Sequence, residues 1–404
     1  MTYSKQRKKF GIFIGRLQPI HKGHIENIYQ IIKEKIEPII FIGSTNIIDD
    51  KNPLNFTQRK KLVKIIFPDI KYILSLEDNL DWNKWFKNLE NKLKNIAFEY
   101  KQPFYKEDFV FYIHKKEKDK CKFLFKKKEY YCNYQEIFDL EGYPIKELKD
   151  ICIDNNLIHS TEIRKNKKYA KKVVPSIILK KLEEWHFWGK ELYNEKYNNK
   201  EYKIIEYPNF IKVYGGDGTM LKAVDNFKHL NKPFYGIAQG TVNFLMNTEK
   251  EIKKPTAIEL DLIQAENKEA FNEIIIGNEI SDWIDFNIED KDEIIGNFKG
   301  GGIIISTAQG STGVNKSTGG VILPLSSKNW VISGILTNRR IHYVLEPQKL
   351  KIKFKSRKTE YLWIDGKKIK KFLPNIEHEI IIQTGKKVVL FFNNIHEFKK
   401  KRKM

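Results

Sequence analysis

The sequence predicts an α/β protein of two domains. Apolar runs of strand length alternate with helical patterns over the first half of the chain, which indicates a doubly wound parallel sheet. Beyond residue 250 short β-like runs follow one another, which indicates a sandwich-like antiparallel region. The length of 404 residues also exceeds what one hydrophobic core usually organises, so two cores are expected.

The first domain begins with an apolar run at residues 10–15, which predicts a buried strand. Isoleucines at helical spacing predict the helix that follows: Ile25, Ile28, Ile31, Ile32 and Ile36. Further strands are predicted over 38–43, 70–75, 109–113 and 151–154, with a helix over 82–96. Ligands in such sheets bind at the carboxyl ends of the strands, so the loops after these strands are the places to look for a site.

A helical pattern over 175–196 closes the first domain, so we predict domains of residues 1–196 and 197–404. A strand over 210–214 begins the small α/β part of the second domain, and the region ahead of it leaves room for one more strand. The antiparallel strands are predicted over 257–263, 271–277, 302–306, 350–354 and 388–392.

Composition excludes several classes of protein. The apolar runs are too short to cross a bilayer, which predicts a cytoplasmic protein with no membrane partner. Cys121, Cys132 and Cys152 are odd in number and lack a C-x-x-C spacing, so a disulfide framework and a zinc site are both disfavoured. The net charge of +22 attracts polyanions, but the lysines are spread along the chain and no nucleic-acid reading module accompanies them. We therefore predict no specific nucleic acid partner.

The first chemical motif is the segment GRLQPIHKGH at residues 15–24. Gly15 lets the chain turn after its strand, and Gly23 leaves room for phosphates at the start of the next helix. His21 and His24 can then lie on one side of the turn and donate hydrogen bonds to phosphate oxygens, with Arg16 adding positive charge. A bare pair of histidines three apart is weak evidence, but the ten-residue context is much stronger.

Two further segments extend this pattern, GST at 43–45 followed by NPLNFT at 52–57 and Arg59, and IHSTEIR at 158–164. Together with the first motif they resemble the nucleotidyltransferases, in the form of the archaeal-type nicotinamide mononucleotide adenylyltransferases. The resemblance covers roughly residues 8–180 and implies a Rossmann-like fold. It also implies that the mononucleotide phosphate attacks the α-phosphorus of ATP, which carries Mg²⁺, and releases pyrophosphate.

The resemblance also implies roles for individual residues. His21, His24 and Arg164 would stabilise the reacting phosphates. The ATP and mononucleotide contacts would come from Gly15, Arg16, Gln18, Arg59, Asp78, Trp85, Ser160 and Thr161. Trp85 matches the position that stacks on nicotinamide, with Trp82 a near equal candidate and a buried core role the alternative. Ser160 and Thr161 could hold phosphate or simply cap a helix.

The second motif is GGDGT at residues 215–219, directly after the strand predicted over 210–214. Its glycines allow close approach of a diphosphate, and Asp217 is presented on a tight turn. Diacylglycerol and sphingosine kinases share this motif with NAD kinases, so these five residues alone are ambiguous. Three later features, Asn272-Glu273, the segment 302–320 and the WIDG segment at 363–366, make the second half resemble the NAD kinases.

That resemblance implies that Asp217 is the general base for phosphorylation of the adenosine ribose 2′-hydroxyl of NAD. NAD contacts would come from Gly216, Gly218, Thr219, Asn272, Glu273, Gly310, Ser311 and Thr312. Sites between subunits in this family imply a homo-oligomer. Substitutions at Ala308, Gln309, Gly313 and Val314 depart from the family's pattern and put the catalytic rate in doubt.

The two resemblances together predict a bifunctional enzyme with ATP, nicotinamide mononucleotide and NAD as its small-molecule partners, making NAD and then NADP. Two alternatives keep the adenylyltransferase half. In one the second half is a lipid kinase, and in the other it is a catalytically weak NAD(P)-sensing or oligomerising module.

Overall fold

The computed structural model describes residues 7–114, 122–125, 128–131, 134–149, 151–153, 156–197, 200–240, 243–278, 283–290, 293–347 and 349–394. The chain divides into two compact units. The first unit comprises Met1–Lys190 with Glu206–Asn209, and the second comprises Glu191–Ile205 with Phe210–Met404. The predicted domains, residues 1–196 and 197–404, concern parts of the chain that fold independently, and their limits stay a prediction.

The first unit alternates strands and helices, as its apolar pattern predicts. Its strands are β1 (Phe10–Gly15), β2 (Glu37–Ile42), β3 (Tyr72–Ser75), β4 (Phe109–His114), β5 (Lys122–Phe125), β6 (Lys128–Tyr131), β7 (Ile145–Leu148), β8 (Cys152–Ile153) and β9 (Asn156–Leu157). Its helices are α1 (Lys22–Lys33), α2 (Phe56–Ile66), α3 (Trp82–Glu99), α4 (Tyr134–Leu140), α5 (Ser160–Lys165), α6 (Lys167–Val173) and α7 (Ser176–Glu184), with a 3₁₀ turn at Lys106–Asp108.

The central sheet of the first unit has the strand order β3-β2-β1-β4-β7, and every neighbouring pair is parallel. Alternate residues of a strand face opposite sides of a sheet. Phe13 and Ile40 accordingly pack in one core cluster with α1 and α2, whereas Ile12 and Ile39 pack in another with α3 and α4. Helices on both faces confirm the doubly wound parallel sheet.

The predicted strand over 151–154 is wrong as a member of this sheet. The fifth parallel strand is β7, whose residues pair with β4 and whose Leu148 is buried. The short β8 pairs antiparallel with β9 instead, and Cys152 is exposed. Both runs are short, so the sequence pattern could not decide which one adds to the sheet.

The helix predicted over 175–196 is also shorter than expected, because α7 ends at Glu184. His186 and Gly189 adopt left-handed backbone conformations, with φ of 57° and 90°, and such residues end a helix. A strand then begins at Lys190, and Leu192 packs on the core of the second unit.

The second unit is rich in strands. They are β10 (Lys190–Tyr197), β11 (Lys200–Glu206), β12 (Ile211–Gly215), β13 (Phe234–Ala238), β14 (Thr256–Ala265), β15 (Lys268–Ala270), β16 (Glu273–Gly277), β17 (Ile284–Asp290), β18 (Glu293–Ser306), β19 (Trp330–Thr337), β20 (His342–Leu345), β21 (Leu350–Lys355), β22 (Glu360–Ile364), β23 (Lys367–Phe372) and β24 (Glu377–Phe392). Its helices are α8 (Asp217–Phe227) and α9 (Val314–Ser317), with 3₁₀ turns at Lys228–Leu230 and Gly310–Thr312.

Two strands, β10 and β11, precede β12, so the expectation of a single strand ahead of residue 210 is wrong. The pairs β12–β13 and β13–β24 are parallel and form the small α/β part with α8. The pairs from β14 onward are antiparallel, as predicted. Among the described residues these strands join into one hydrogen-bonded network. A sandwich-like packing of its parts stays a prediction.

Candidate active sites in the two units

The first motif forms the connection from β1 to α1. His21 stands at the N-cap position of α1 in an extended conformation, and its ring stacks on that of His24 with 3.7 Å between centroids. A methyl group at Gly23 would lie 3.2 Å from the His21 ring, so the missing side chain lets the imidazole rest against the start of the helix. The structure thus brings the two predicted histidines together.

Both imidazoles are neutral near physiological pH. Burial, with smaller effects of His159 and His114, lowers the pKa of His21 to about 3. The pKa of His24 is also well below its ordinary value, again mainly through burial. The Nδ1 atoms of His21 and His24 are buried and have no hydrogen-bond partner among the described residues. The pair can therefore offer hydrogen bonds to a ligand, while the positive charge comes from arginine.

Two predicted ligand contacts serve the scaffold in this structure. The Gln18 side chain is buried, donating to the Leu54 carbonyl at 2.8 Å and accepting from the Leu54 N–H at 3.0 Å. The fully buried Arg59 donates to the carbonyls of Arg16 at 2.8 Å and Gly43 at 2.6 Å. These side chains hold the loops around the site, because they are enclosed among backbone acceptors rather than exposed to a ligand. Arg16 itself is exposed.

Asp78 lies where the sequence places it, past the carboxyl end of β3. The Ser44 hydroxyl, past the end of β2, lies 3.0 Å from both of its carboxylate oxygens. The Asp78 N–H donates to the Asn46 side chain at 2.9 Å. Asp78 is exposed, so its carboxylate can meet a ligand at this edge of the sheet.

Trp85 is 5% exposed and lies in the core cluster between α3 and the sheet, which is the setting expected for a core role. Its contact with a ligand stays a prediction. Trp82 begins α3, is half-buried, and has its ring 5.4 Å from that of Trp85. Of the two tryptophans, Trp82 is therefore the one that a ring could reach.

The third segment forms the short helix α5. His159 is its N-cap residue and makes no side-chain cap bond, so Ser160 and Thr161 are the first helical residues rather than caps. Arg164 donates to the Gln18 carbonyl at 3.1 Å and to the Thr161 hydroxyl at 3.1 Å. Burial, and then the charge of Arg16, lower the pKa of Arg164. The predicted arginines thus converge beside the first motif.

His114 is a further residue near this site that the sequence analysis did not select. His114 ends β4, and its Nε2 lies 2.7 Å from Nδ2 of Asn27 on α1. Its proximity contributes, after burial, to the lowered pKa of both His21 and His24. A histidine at the carboxyl end of a predicted parallel strand is the signal that could have found it.

The second motif forms the turn from β12 into α8. Asp217 is the first residue of α8, and Gly216 is its N-cap. The Asp217 carboxylate accepts hydrogen bonds from the N–H groups of Phe244 at 2.9 Å and Leu245 at 2.8 Å. Each carboxylate oxygen thus already holds the 243–245 segment, which gives Asp217 a structural role beside any chemical one.

A cavity opens beside this turn, and sequence reasoning did not foresee most of its lining. It is lined by Tyr193, Glu195, Tyr202, Gly218, Thr219 and Lys222. Gly218 faces open space, since a methyl group there would meet no atom within 4 Å. The Lys222 ammonium lies 3.8 Å from the centre of the Tyr193 ring, a cation–π contact.

Asn272 and Glu273 are held by Asp365, the acid of the late Asp-Gly turn. Its carboxylate accepts from the N–H groups of Phe271 at 2.6 Å, Asn272 at 2.8 Å and Glu273 at 3.1 Å. Asp365 and Gly366 have φ of 45° and 76°, the left-handed conformations that this turn requires. Burial raises the pKa of Asp365, although the three N–H donors act in the opposite direction.

Glu273 is 7% exposed, and its Oε2 atom is buried without a hydrogen-bond partner in the described part of the chain. Burial, and then the charge of Asp365, raise the pKa of Glu273 to about 7. An enclosed carboxyl group with an unused acceptor is unusual, because burying a polar group without a partner is costly. The arrangement makes Glu273 a candidate for contact with a ligand.

The loop from Thr307 to Gly313 lies against this pair. A methyl group at Gly310 would stand 2.2 Å from the Asn272 carbonyl oxygen, so only glycine fits there. Gln309, a departure from the family's pattern, donates to the Phe271 carbonyl at 2.7 Å. Thr307 donates to the same carbonyl at 2.7 Å. The substituted loop is therefore tied to Phe271 and, through a second bond of Thr307 at 3.0 Å, to the Asn272 carbonyl.

The Ser311 side chain is engaged within the protein, and its contact with NAD stays a prediction. It is fully buried, donates to the Ala308 carbonyl at 2.7 Å and accepts from the Leu323 N–H at 3.0 Å. Its neighbour Thr312 is half-buried and stays a candidate contact.

The two parts of this second site share one framework. Met220 of α8, Leu245 and Phe271 belong to one core cluster. Asp225 of α8 also forms an ion pair of 2.6 Å with Lys367, just after the Asp365 turn. The helix that presents Asp217 therefore packs beside the turn that holds Asn272 and Glu273.

Two features are absent from the described residues. No helix of the described residues is long and apolar enough to span a membrane. Within the same described ranges, no group of three or more His, Cys, Asp or Glu side chains is arranged to hold a metal ion.

Comparison with known proteins places the second unit. Residues 271–393 match the ATP-NAD kinase C-terminal domain. The NAD kinase of Rickettsia bellii (strain OSU 85-389) is 32% identical over 214 residues, which cover 48% of this chain and 84% of that protein. The NAD kinase of Rickettsia akari (strain Hartford) is 34% identical over 184 residues, covering 41% and 69%.

Two solved structures are also similar. An NAD kinase from Archaeoglobus fulgidus in complex with ATP has 21% identity and a TM-score of 0.41, covering 48% of this chain and 83% of its own. Yeast NADH kinase complexed with NADH has 18% identity and a TM-score of 0.40, covering 47% and 63%.

The Gly-Gly-Asp-Gly-Thr turn, the mixed α/β fold with parallel strands and the Asn-Glu pair define a nucleotide-dependent phosphotransferase. The chain belongs to the NAD kinase family.

Proposed function

We propose that the chain carries out two consecutive reactions. The second unit phosphorylates the adenosine ribose 2′-hydroxyl of NAD with ATP, giving NADP. The first unit makes that NAD by transferring the adenylyl group of ATP to nicotinamide mononucleotide, with release of pyrophosphate. Family membership with Asp217 retained at the start of α8 carries the kinase proposal. The stacked histidines beside Arg164 support the adenylyltransferase proposal.

In the first unit, catalysis would consist of positioning and charge stabilisation. The neutral imidazoles of His21 and His24 donate hydrogen bonds to phosphate oxygens, and Arg16 and Arg164 balance the charge that develops on the leaving pyrophosphate. Mg²⁺ would arrive with ATP, bound by its phosphates, and lower their repulsion toward the attacking mononucleotide.

In the second unit, Asp217 would take the proton from the ribose hydroxyl as that oxygen attacks the γ-phosphorus of ATP. Each carboxylate oxygen can accept more than one hydrogen bond, so the bonds from Phe244 and Leu245 leave room for the hydroxyl while fixing the carboxylate. Asn272 and Glu273 would hold the dinucleotide. A homo-oligomer and a cytoplasmic location belong to the same proposal.

An NAD(P)-sensing or oligomerising module is the second candidate for this unit. One observation favours it: both oxygens of Asp217 already hold backbone N–H groups, a role that needs no catalysis. A lipid kinase is less well supported, because the Asn272-Glu273 pair lies within the stretch matched to the NAD kinase C-terminal domain.

The test is to incubate pure protein with nicotinamide mononucleotide, ATP and Mg²⁺ and to separate NAD from NADP by chromatography. We expect both products from the wild type. His24→Ala should abolish NAD formation while phosphorylation of added NAD continues, because different residues serve the two reactions. Asp217→Asn should slow NADP formation roughly 10²- to 10⁴-fold, the usual contribution of a positioned base, and leave NAD formation intact.

Three outcomes would contradict the proposal. Equal loss of both activities in a folded His24→Ala protein would contradict the division of labour. An unchanged NADP rate in Asp217→Asn would remove the general base. Absence of NADP even from the wild type would favour the sensing module.

A further inference from the structure

Glu273 has an uncompensated carboxylate oxygen. Its backbone N–H is held by Asp365, but its Oε2 atom is enclosed and accepts no hydrogen bond from the residues that the structure describes. A methyl group at Gly313 would lie 3.6 Å from this Oε2 atom. Gly313 is itself exposed, so the unused oxygen faces a loop at the protein surface. A ligand that enters beside Gly313 could reach it.

The charge that acts on Glu273 comes from another acid. Asp365 acts on it from the turn between β22 and β23. Behind Asp365 stands Asp225 on α8, which is paired with Lys367 at 2.6 Å and Lys228 at 3.4 Å. On the opposite side, β18 places Ser306 across from Glu273, and the loop 310–313 consists of glycine, serine and threonine. No cation among these neighbours is placed to stabilise a carboxylate at Glu273.

Of the two neighbouring acids, Glu273 and Asp365, Glu273 is the one that retains a proton. The Asp365 oxygens accept three backbone N–H bonds, which stabilise its charged form, whereas the free oxygen of Glu273 has no such donor. Burial and the nearby Asp365 charge together disfavour a second negative charge, and the pKa of Glu273 rises to about 7. Glu273 is therefore substantially protonated at and below neutral pH when no ligand is present.

We propose that the dinucleotide binds at Glu273 with release of a proton to solvent. The ligand offers a neutral hydrogen-bond donor, a ribose hydroxyl or a carboxamide N–H, to the unused oxygen. A hydrogen bond to an ionised carboxylate is roughly twice as strong as one to the neutral acid, so the ligand favours the ionised form. The inference rests on the proposed function, because it takes NAD as the ligand.

The coupling between NAD binding and proton release predicts how NAD affinity depends on pH. Below the pKa of the free group, each unit of pH lowers the ionised fraction tenfold, so the apparent Kd of NAD should rise by up to about tenfold per unit. Above about pH 8 the affinity should be constant. Calorimetric titration of the full chain with NAD at pH 6.5, in two buffers of different ionisation enthalpy, measures the protons released.

A variant of Glu273 and a matched control test whether this residue releases the proton. Glu273→Gln keeps the shape but cannot ionise, so we expect NAD affinity that no longer depends on pH between 5.5 and 8 and no proton release from this group. Glu293→Gln, a change at an exposed glutamate that begins β18, is the matched control and should release protons like the wild type. If Glu273→Gln does not fold, Asp365→Asn should shift the pH at which affinity levels off to a lower value.

NAD binding without proton release at pH 6.5 would overturn the inference, as would the same release from Glu273→Gln as from the wild type. No NAD binding at any pH would instead overturn the proposed function.

Discussion

The first unit encloses imidazoles at its candidate site, and the second encloses carboxyl groups. Burial favours the neutral form in both cases, so it lowers the pKa of an imidazole and raises the pKa of a carboxyl group. The pKa of His21 falls to about 3, whereas the pKa of Glu273 rises to about 7. Acid should therefore weaken the first unit through its histidines, and alkali should weaken the second through its carboxyl groups. The same physical effect thus makes the two sites respond differently to pH.

The largest expected effect is acid destabilisation of the first unit. Unfolded His21 takes up a proton at its ordinary pKa of 6.5, while folded His21 resists protonation until about pH 3. Stability is therefore fully present above pH 6.5 and falls by about 1.4 kcal/mol per pH unit across this window. His21→Gln should remove that contribution.

Denaturant unfolding of the full chain from pH 4 to 8, followed by hydrogen exchange in peptides from α1, measures the slope. An identical slope in wild type and His21→Gln would show that His21 is not the group that resists protonation.

The second effect has the opposite sign and is smaller. Unfolded Glu273 ionises near its ordinary pKa of 4.5, but folded Glu273 ionises only near 7. Its contribution to stability is thus fully present below pH 4.5 and lost as pH rises to 7, about 3 kcal/mol over the whole window. Glu273→Gln should make the second unit less sensitive to pH in this range.

Hydrogen exchange in peptides from β16, corrected for the intrinsic effect of pH, measures this change. Glu293→Gln again serves as the control, since its exposed carboxyl group should leave the wild-type dependence unchanged. A Glu273→Gln protein that loses as much stability between pH 4.5 and 7 as the wild type would end the contrast between the units.

The smallest expected effect distinguishes the influence of Asp365 on Glu273 from that of burial. Asp365→Asn removes a charge beside Glu273, so the ionisation of Glu273 should move toward its ordinary range. The asparagine has one carbonyl oxygen for three N–H donors, so we also expect a loss of about 1–3 kcal/mol. The pH dependence of β16 exchange would report both changes. An unmoved ionisation of Glu273 would mean that burial alone raises its pKa.

Local pattern predicted much of both sites. The strand, turn and helix around His21 and His24, and those around Asp217, follow from apolar runs next to glycines at specific spacings. The parallel order of the first sheet also agrees with the alternation of strands and helices. These features depend on neighbours within about ten residues, so a single sequence contains their cause.

Burial explains where the structure adds to what the sequence indicated. Trp85 and Arg59 have residue types that suit ligands, but the side chains lie among partners that the local pattern does not reveal. Ser311 is a similar case, because its hydroxyl bonds to Leu323 beyond the next helix. In the stretch 175–196, the spacing of apolar residues predicted a longer helix. The left-handed backbone conformations of His186 and Gly189 end it earlier.

The sequence by itself determined the two motifs, their strand-turn-helix settings and the chemistry that their residue types allow. Only the tertiary structure decided which of those residues are enclosed and which charge state each one holds. Asp365 contacts Phe271 across 94 positions of the chain. His114, at the end of β4, contributes to the lowered pKa of His21 at the start of α1. The reason is physical: a pKa depends on the solvent and charges that surround a group, and folding assembles those surroundings from distant segments.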